Sequence, residues 1–113
     1  MKKIVYISLP MAGVEDTIWE RYEYAKKYIK ETPGFEDATI ISPINISNFA
    51  PGHAISCERT HSYGWYIGRD VERLCDCTDI FMCDGWENSR GCRIEHAVAE
   101  AYGLTILYEE NGE

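Results

Sequence analysis

The sequence predicts an α/β domain, a three-layer sandwich in which helices cover both faces of a parallel sheet of four or five strands. Strand-type and helix-type segments alternate through all 113 residues, and no repeat, linker or low-complexity tract divides them. A hydrophobic content of 45% suffices for one buried core, so a single domain spanning residues 1–113 is expected. Each strand-to-strand connection is long enough to carry a crossover helix, and right-handed crossovers place successive strands parallel.

Residues 3–8 (Lys-Ile-Val-Tyr-Ile-Ser) are rich in β-formers and are closed by Pro10 and Gly13. From Asp16 or Thr17, either able to cap, Ile18, Trp19, Tyr22, Ala25, Tyr28 and Ile29 recur at helical spacing until Thr32-Pro33-Gly34 stops them. Residues 39–42 form a short second strand halted by Pro43. Residues 43–61 then lack any period and hold two prolines, which predicts a long functional loop able to act as a lid.

A second helix is expected from Ser62 to Cys75, with Trp65, Ile67, Val71 and Leu74 near one side, followed by a strand over residues 79–83. Asp84-Gly85-Trp86 ends that strand and Ser89 caps a third helix, which is expected to turn Ile94, Ala97, Val98 and Ala101 inward until Gly103. Residues 104–108 supply the fourth strand. The resulting βαβαβαβ order is flavodoxin-like or Rossmann-like, and in such sheets ligands gather beyond the carboxyl ends of the strands, here at Ser8, Pro43, Asp84 and Glu109.

Charge narrows the function classes. Nineteen acidic against eleven basic side chains leave a net charge of −8, and no Lys/Arg cluster interrupts it, which disfavours nucleic acid and anionic membranes as partners. There is no apolar run of spanning length, and Pro10 breaks the first segment before a signal sequence develops, so a cytoplasmic location is expected. Five cysteines without a secretory signal predict free thiols, with Cys75, Cys77 and Cys83 as small buried hydrophobes near one strand.

The segment from Asp84 to Glu95 leaves a strand end, turns through a polar loop and enters a helix whose first amides welcome an anionic group. Glu95 has Gly91 and Ala99 four residues away and Cys92 and Val98 three away, so no charge partner lies within its helix and space is left above its carboxylate. Spacing alone leaves open a reactive carboxylate and an ordinary solvated one. Asp70, with Arg73 three residues on, reads as a surface ion pair, and Asp84 as a turn former. Ser8, Pro10 and Gly13 make a loop where backbone can approach a ligand, without the Gly-Lys-Ser/Thr ending of a P-loop. His53, Cys57 and His61 are spaced by four, but Pro51 and Gly52 spoil the helix that would gather them, so no metal is assigned.

Three blocks together resemble the nucleoside 2-deoxyribosyltransferase-like superfamily over nearly the whole chain, closest to its small uncharacterised bacterial and phage branch. They are Tyr6-Ile7-Ser8-Leu9-Pro10-Met11-Ala12-Gly13, then Asp70 with Cys77-Thr78-Asp79-Ile80 after it, and Asp84-Gly85-Trp86 through Gly91 and Glu95 to Ala99 and Gly103. The resemblance implies that Glu95 is a nucleophile attacking an anomeric carbon, with Tyr6 holding it and Asp70 near the base. Ser8, Pro10, Gly13, Asp84, Gly85, Trp86, Ser89 and Gly91 would line the substrate. It implies no cofactor, and a homodimer or higher oligomer.

A carboxylate below a sugar can trap an oxocarbenium-like centre while a second acid assists the leaving base. Ser89 stands where the transferases of the family carry aspartate and looks more like the nucleotide hydrolases, in which serine helps hold a 5'-phosphate. Glu15 and Asp16, on the other hand, would repel a phosphate on the first loop. The expected activity is therefore cleavage or transfer at the N-glycosidic bond of a (deoxy)nucleoside or its 5'-monophosphate. The alternatives are a catalytically inactive nucleotide-binding or sensor module, distinguished by saturable binding without base release, and a metal-dependent hydrolase, which would hold stoichiometric zinc.

Overall fold

The computed structural model describes residues 2–11, 17–44, 46 and 62–110. Its elements follow the order β1 (Ile4–Ser8), α1 (Ile18–Glu31), β2 (Thr39–Ile41), α2 (Tyr63–Cys75), β3 (Asp79–Met82), a 3₁₀ turn (Trp86–Asn88), α3 (Arg90–Ala101) and β4 (Thr105–Tyr108). The four strands form one all-parallel sheet in the order β2-β1-β3-β4, the α/β arrangement of flavodoxin-like and Rossmann-like domains. β1 is central, paired to β2 through Val5 and Ile40 and to β3 through Tyr6 and Ile80. Being covered on both faces, it is apolar almost without interruption.

Side chains along a strand alternate between faces, and that alternation sorts the core in two. Val5 and Ile7 of β1 join Phe81 of β3 against Ile18, Tyr22, Ala25 and Ile29 of α1. These four α1 positions lie at i, i+4, i+7 and i+11, one stripe of a helix. Tyr6 faces the opposite way with Ile80 and Met82, packing against Leu74 of α2 and Cys92 and Ala99 of α3. Removing the Phe81 ring would cost about 3–5 kcal/mol, since its neighbours are fixed by helix and sheet and cannot collapse into the gap.

Serine caps open the two helices that matter for the site. Ser62 Oγ accepts from Trp65 N at 3.1 Å at the start of α2, and Ser89 Oγ accepts from Cys92 N at 3.3 Å at the start of α3.

One expectation about helix faces is corrected. In α3 the inward side is Gly91, Cys92, Glu95 and Ala99, whereas Ile94, Ala97 and Ala101 are exposed and Val98 is half-buried. Ranking residues by hydrophobicity misses this face because its centre is a carboxylate whose hydrogen-bond partners come from β1. In α2 the buried pair is Asp70 and Leu74, while Trp65 is exposed and Ile67 and Val71 are half-buried.

Cys77, Cys83 and Cys92 are buried free thiols and Cys75 is half-buried. Burial pushes Cys77 up to about 11 and Cys83 further still, so these thiols are inert packing groups. Among the described residues no helix is long and apolar enough to cross a membrane.

Candidate functional site

The last residue of β1, Ser8, and the residue two before it, Tyr6, project to the α2/α3 face because they share strand parity. Both are fully buried. Across from them, one turn inside α3, Glu95 is 5% exposed and takes a hydrogen bond from each: Ser8 Oγ donates to Oε1 at 2.6 Å and Tyr6 Oη to Oε2 at 2.7 Å. These are the short distances of hydroxyl-to-carboxylate bonds, and each oxygen keeps a second lone pair.

Burial dominates the titration of this group. It pushes the Glu95 carboxyl up to about 7, against the Ser8 and Tyr6 hydroxyls, which favour its charged form, and with some help from the charge of Asp70. Burial likewise raises Tyr6 well above the ordinary phenol range, with the Glu95 charge adding to it, so Tyr6 stays a donor at any physiological pH.

Asp70 belongs to the same region. Rather than pairing with Arg73 on the surface, it is 8% exposed and accepts from Ile44 N at 2.8 Å, just beyond the end of β2. The ion pair on that stretch of α2 is Arg69 with Glu72. Burial raises the Asp70 carboxyl, while the Ile44 amide, the Arg73 charge and the Tyr6 hydroxyl pull it back. Two carboxyls from separate helices, both pushed upward and both influenced by Tyr6, thus lie at the carboxyl end of the sheet.

The remaining residues expected at the site divide. Ser89 caps α3 with its oxygen, which leaves its hydroxyl hydrogen to donate elsewhere. Gly85 adopts φ +87°, open to glycine and costly for other residues, and a side chain there would approach Pro10. Asp84 is held through its backbone: Arg21 Nη2 donates to its carbonyl at 2.7 Å and its own amide donates to Glu109 Oε1 at 2.7 Å.

The surface beside Gly91 is occupied by α2. A Cβ there would lie 2.7 Å from the Tyr63 hydroxyl and 3.4 Å from Ile67 Cδ1, so glycine lets α2 close onto α3. Trp86 turns to the β4 side, where its ring stacks on His96 with centroids 4.3 Å apart, and His96 Nε2 is 2.9 Å from Tyr108 Oη. Trp86 also packs against the buried cluster that holds Tyr6 and Cys92. Gly13, Glu15, Asp16, the trio His53, Cys57 and His61, and most of the expected lid lie outside the described residues.

Sequence reasoning placed Glu109 at a strand end without its contact to the Asp84 amide, and missed Ile44, Arg21, Tyr63 and Cys92. Ile44, Arg21 and Tyr63 act through contacts with distant elements, for which local spacing holds no signal. Cys92 sits at the first turn of α3 among Ser8, Ser89 and Glu95, and burial keeps it a thiol. Among the described residues no group of three or more His, Cys, Asp or Glu is arranged to hold a metal.

Chemically, the arrangement offers a carboxylate poised to ionise near neutrality, two fixed hydroxyl donors and a second carboxyl able to carry a proton. No curated protein and no solved structure matches the chain. A family model described as "Domain of unknown function (DUF4406)" does, over residues 3–108, and the chain belongs to that family.

Proposed function

We propose that this protein cleaves or transfers the N-glycosidic bond of a (deoxy)nucleoside or its 5'-monophosphate, with Glu95 as nucleophile. The observation that carries the reading is the buried Glu95 carboxylate, fixed by Ser8 and Tyr6 at the carboxyl end of the central strand. Fixed donors orient the carboxylate toward one face of a ligand and spare the reorganisation that water would require.

In this reading one Glu95 oxygen forms a bond to the anomeric carbon as the carbon–nitrogen bond breaks and its electron pair leaves on the base. Asp70, buried at the same end of the sheet, gives a proton to that base. Water then attacks the anomeric carbon of the glycosyl ester and releases Glu95, with Asp70 taking a proton; a second base in place of water completes a transfer. Ser89, at the amino end of α3, supplies a donor for a 5'-phosphate when one is present.

The test is base release from a panel of nucleosides and 5'-monophosphates, followed by chromatography, with a second base added as acceptor. Release or exchange that falls about 10³-fold or more in Glu95→Ala is expected. Release unaffected by that substitution would remove Glu95 from the chemistry. Saturable ligand binding with no base release over hours would make the protein a binding module. Where release is found, its pH profile should be bell-shaped, because Glu95 must be ionised while Asp70 keeps its proton. A rate flat from pH 5 to 8 would contradict that assignment.

A further inference from the structure

One residue after Glu95, α3 turns a different side chain to a different strand. Ser8 of β1, Met82 of β3 and Tyr108 of β4 are register partners, so they stand in one row at the carboxyl end of the sheet and on one face. Glu95 meets that row at Ser8, and His96 meets it at Tyr108, two strands and about 10 Å along.

Three side chains act on the His96 ring, and together they place its hydrogen. Glu100, one turn further on, has Oε1 3.3 Å from Nδ1, and Tyr108 Oη lies 2.9 Å from Nε2. A carboxylate only accepts, so the hydrogen of the neutral imidazole belongs on Nδ1. Nε2 is then a bare lone pair, and Tyr108 is the donor to it. Trp86 stacks on the ring with planes 16° from parallel, which holds the imidazole in that alignment and offers a π face to the imidazolium once it forms. A lone His–Tyr hydrogen bond would be ordinary packing. Here the hydroxyl, the base it donates to and a third group orienting that base stand in sequence, the arrangement of an activated nucleophile, and the phenol ring is 51% exposed.

We infer that Tyr108 is a nucleophile, activated by His96 and Glu100, that accepts an acyl group from an activated ester. Tyr108 Oη attacks the ester carbonyl carbon while His96 Nε2 takes the phenol proton and Glu100 offsets the charge of the imidazolium. The bond from that carbon to the leaving oxygen then breaks. The leaving alcohol departs with the electron pair and takes the proton from His96, and an O-acyl tyrosine remains. This chemistry shares a helix with the glycosidic reading and none of its reacting side chains, so either stands without the other.

Reaction of the full chain with p-nitrophenyl acetate tests it, with nitrophenolate release followed by absorbance and each acetylated residue located by peptide mass spectrometry. Tyr24 of α1 is a matched internal reference, 53% exposed and set beside the ring of Tyr28 instead of an imidazole. Tyr108 should acetylate about 10²-fold faster than Tyr24, the usual gain from a positioned general base. His96→Asn should bring Tyr108 down to the Tyr24 rate, Glu100→Gln should slow it severalfold, and Tyr108→Phe should remove the fast phase of release.

Acetylation of Tyr108 no faster than that of Tyr24 would overturn the inference. So would a Tyr108 rate that survives His96→Asn, or an adduct on His96 in place of one on Tyr108. An unchanged Tyr24 rate and unchanged far-ultraviolet dichroism separate lost activation from lost folding. Glu100 is exposed, so Glu100→Gln still decides the matter if removing His96 disturbs the stack with Trp86.

Discussion

On the α1 side of the sheet, Val5, Ile7 and Phe81 meet Ile18, Tyr22, Ala25 and Ile29, and the contact is packing. On the α2/α3 side the same strands offer Tyr6 and Ser8 to a buried glutamate, with a buried aspartate from the neighbouring helix. One residue of register separates the two environments. A buried acid at the other end of the sheet, Asp79, is held differently: Thr78 Oγ1 donates to Oδ1 at 2.6 Å, Lys3 stands 4.0 Å away, and Oδ2 has no hydrogen-bond partner among the described residues. Glu95 has two hydroxyl donors and no cation among its described contacts, so its charge is left expensive and its proton available. Apolar packing on one face and a buried, upward-shifted carboxyl on the other mean that substitutions on each should fail differently.

The largest expected effect breaks the first face. Phe81→Ala should cost about 3–5 kcal/mol in denaturant unfolding, with the pH dependence of stability unchanged because no titrating group is altered. A loss below about 1 kcal/mol would mean that the α1 side is not the stabilising half.

The second face should respond in the opposite sense. Glu95 titrates higher in the folded protein than a free carboxyl does, so its contribution to stability is full below about pH 4 and is lost as pH rises through about 7. Glu95→Gln keeps the shape and removes the charge, and it should therefore stabilise the protein by about 3 kcal/mol at pH 8. Near pH 4 it should change little. Equal effects at both pH values would show that the carboxylate is not strained by burial.

Finer still, Ser8→Ala removes the donor that does most to favour the charged form. The midpoint of the Glu95 titration, read by carbon-13 resonance of the side chain, should move to higher pH. A downward move would invert the assignment of Ser8. Smallest of all, Gly91→Ala should shift unfolding by no more than about 1 kcal/mol, because the atom it strikes is the far end of the exposed Tyr63 side chain, which can swing aside. A much larger loss would make the seam between α2 and α3 more rigid than its exposure suggests.

The alternation of segments, the helix starts at Ser62 and Ser89 and the parallel sheet were legible in the sequence because periodicity and caps are local signals. The identity of Glu95 as a residue without helical charge partners was legible for the same reason. Its burial was not, since that depends on hydroxyls far along the chain. The same limit explains Asp70: the nearby Arg73 suggested a surface pair, whereas the partner that matters is a backbone amide at Ile44. Rotation of α3 escaped because hydrophobic ranking assigns Ile94 to the core and has no means of placing a glutamate there.

The two bonds that fix Glu95 join residues 87 and 89 positions apart in the chain, and β1 completes its pairing only when β3 arrives. During synthesis the first strand therefore emerges with its better partner still untranslated, and it waits through most of the chain for its neighbour. The carboxylate is among the last groups to find its place, so correct closure of Tyr6 and Ser8 onto Glu95 doubles as a signature that the entire fold has formed. A molecule stalled before that point would have helices and no buried Glu95, so a Glu95 carboxyl titrating at about 7 gauges the refolded fraction.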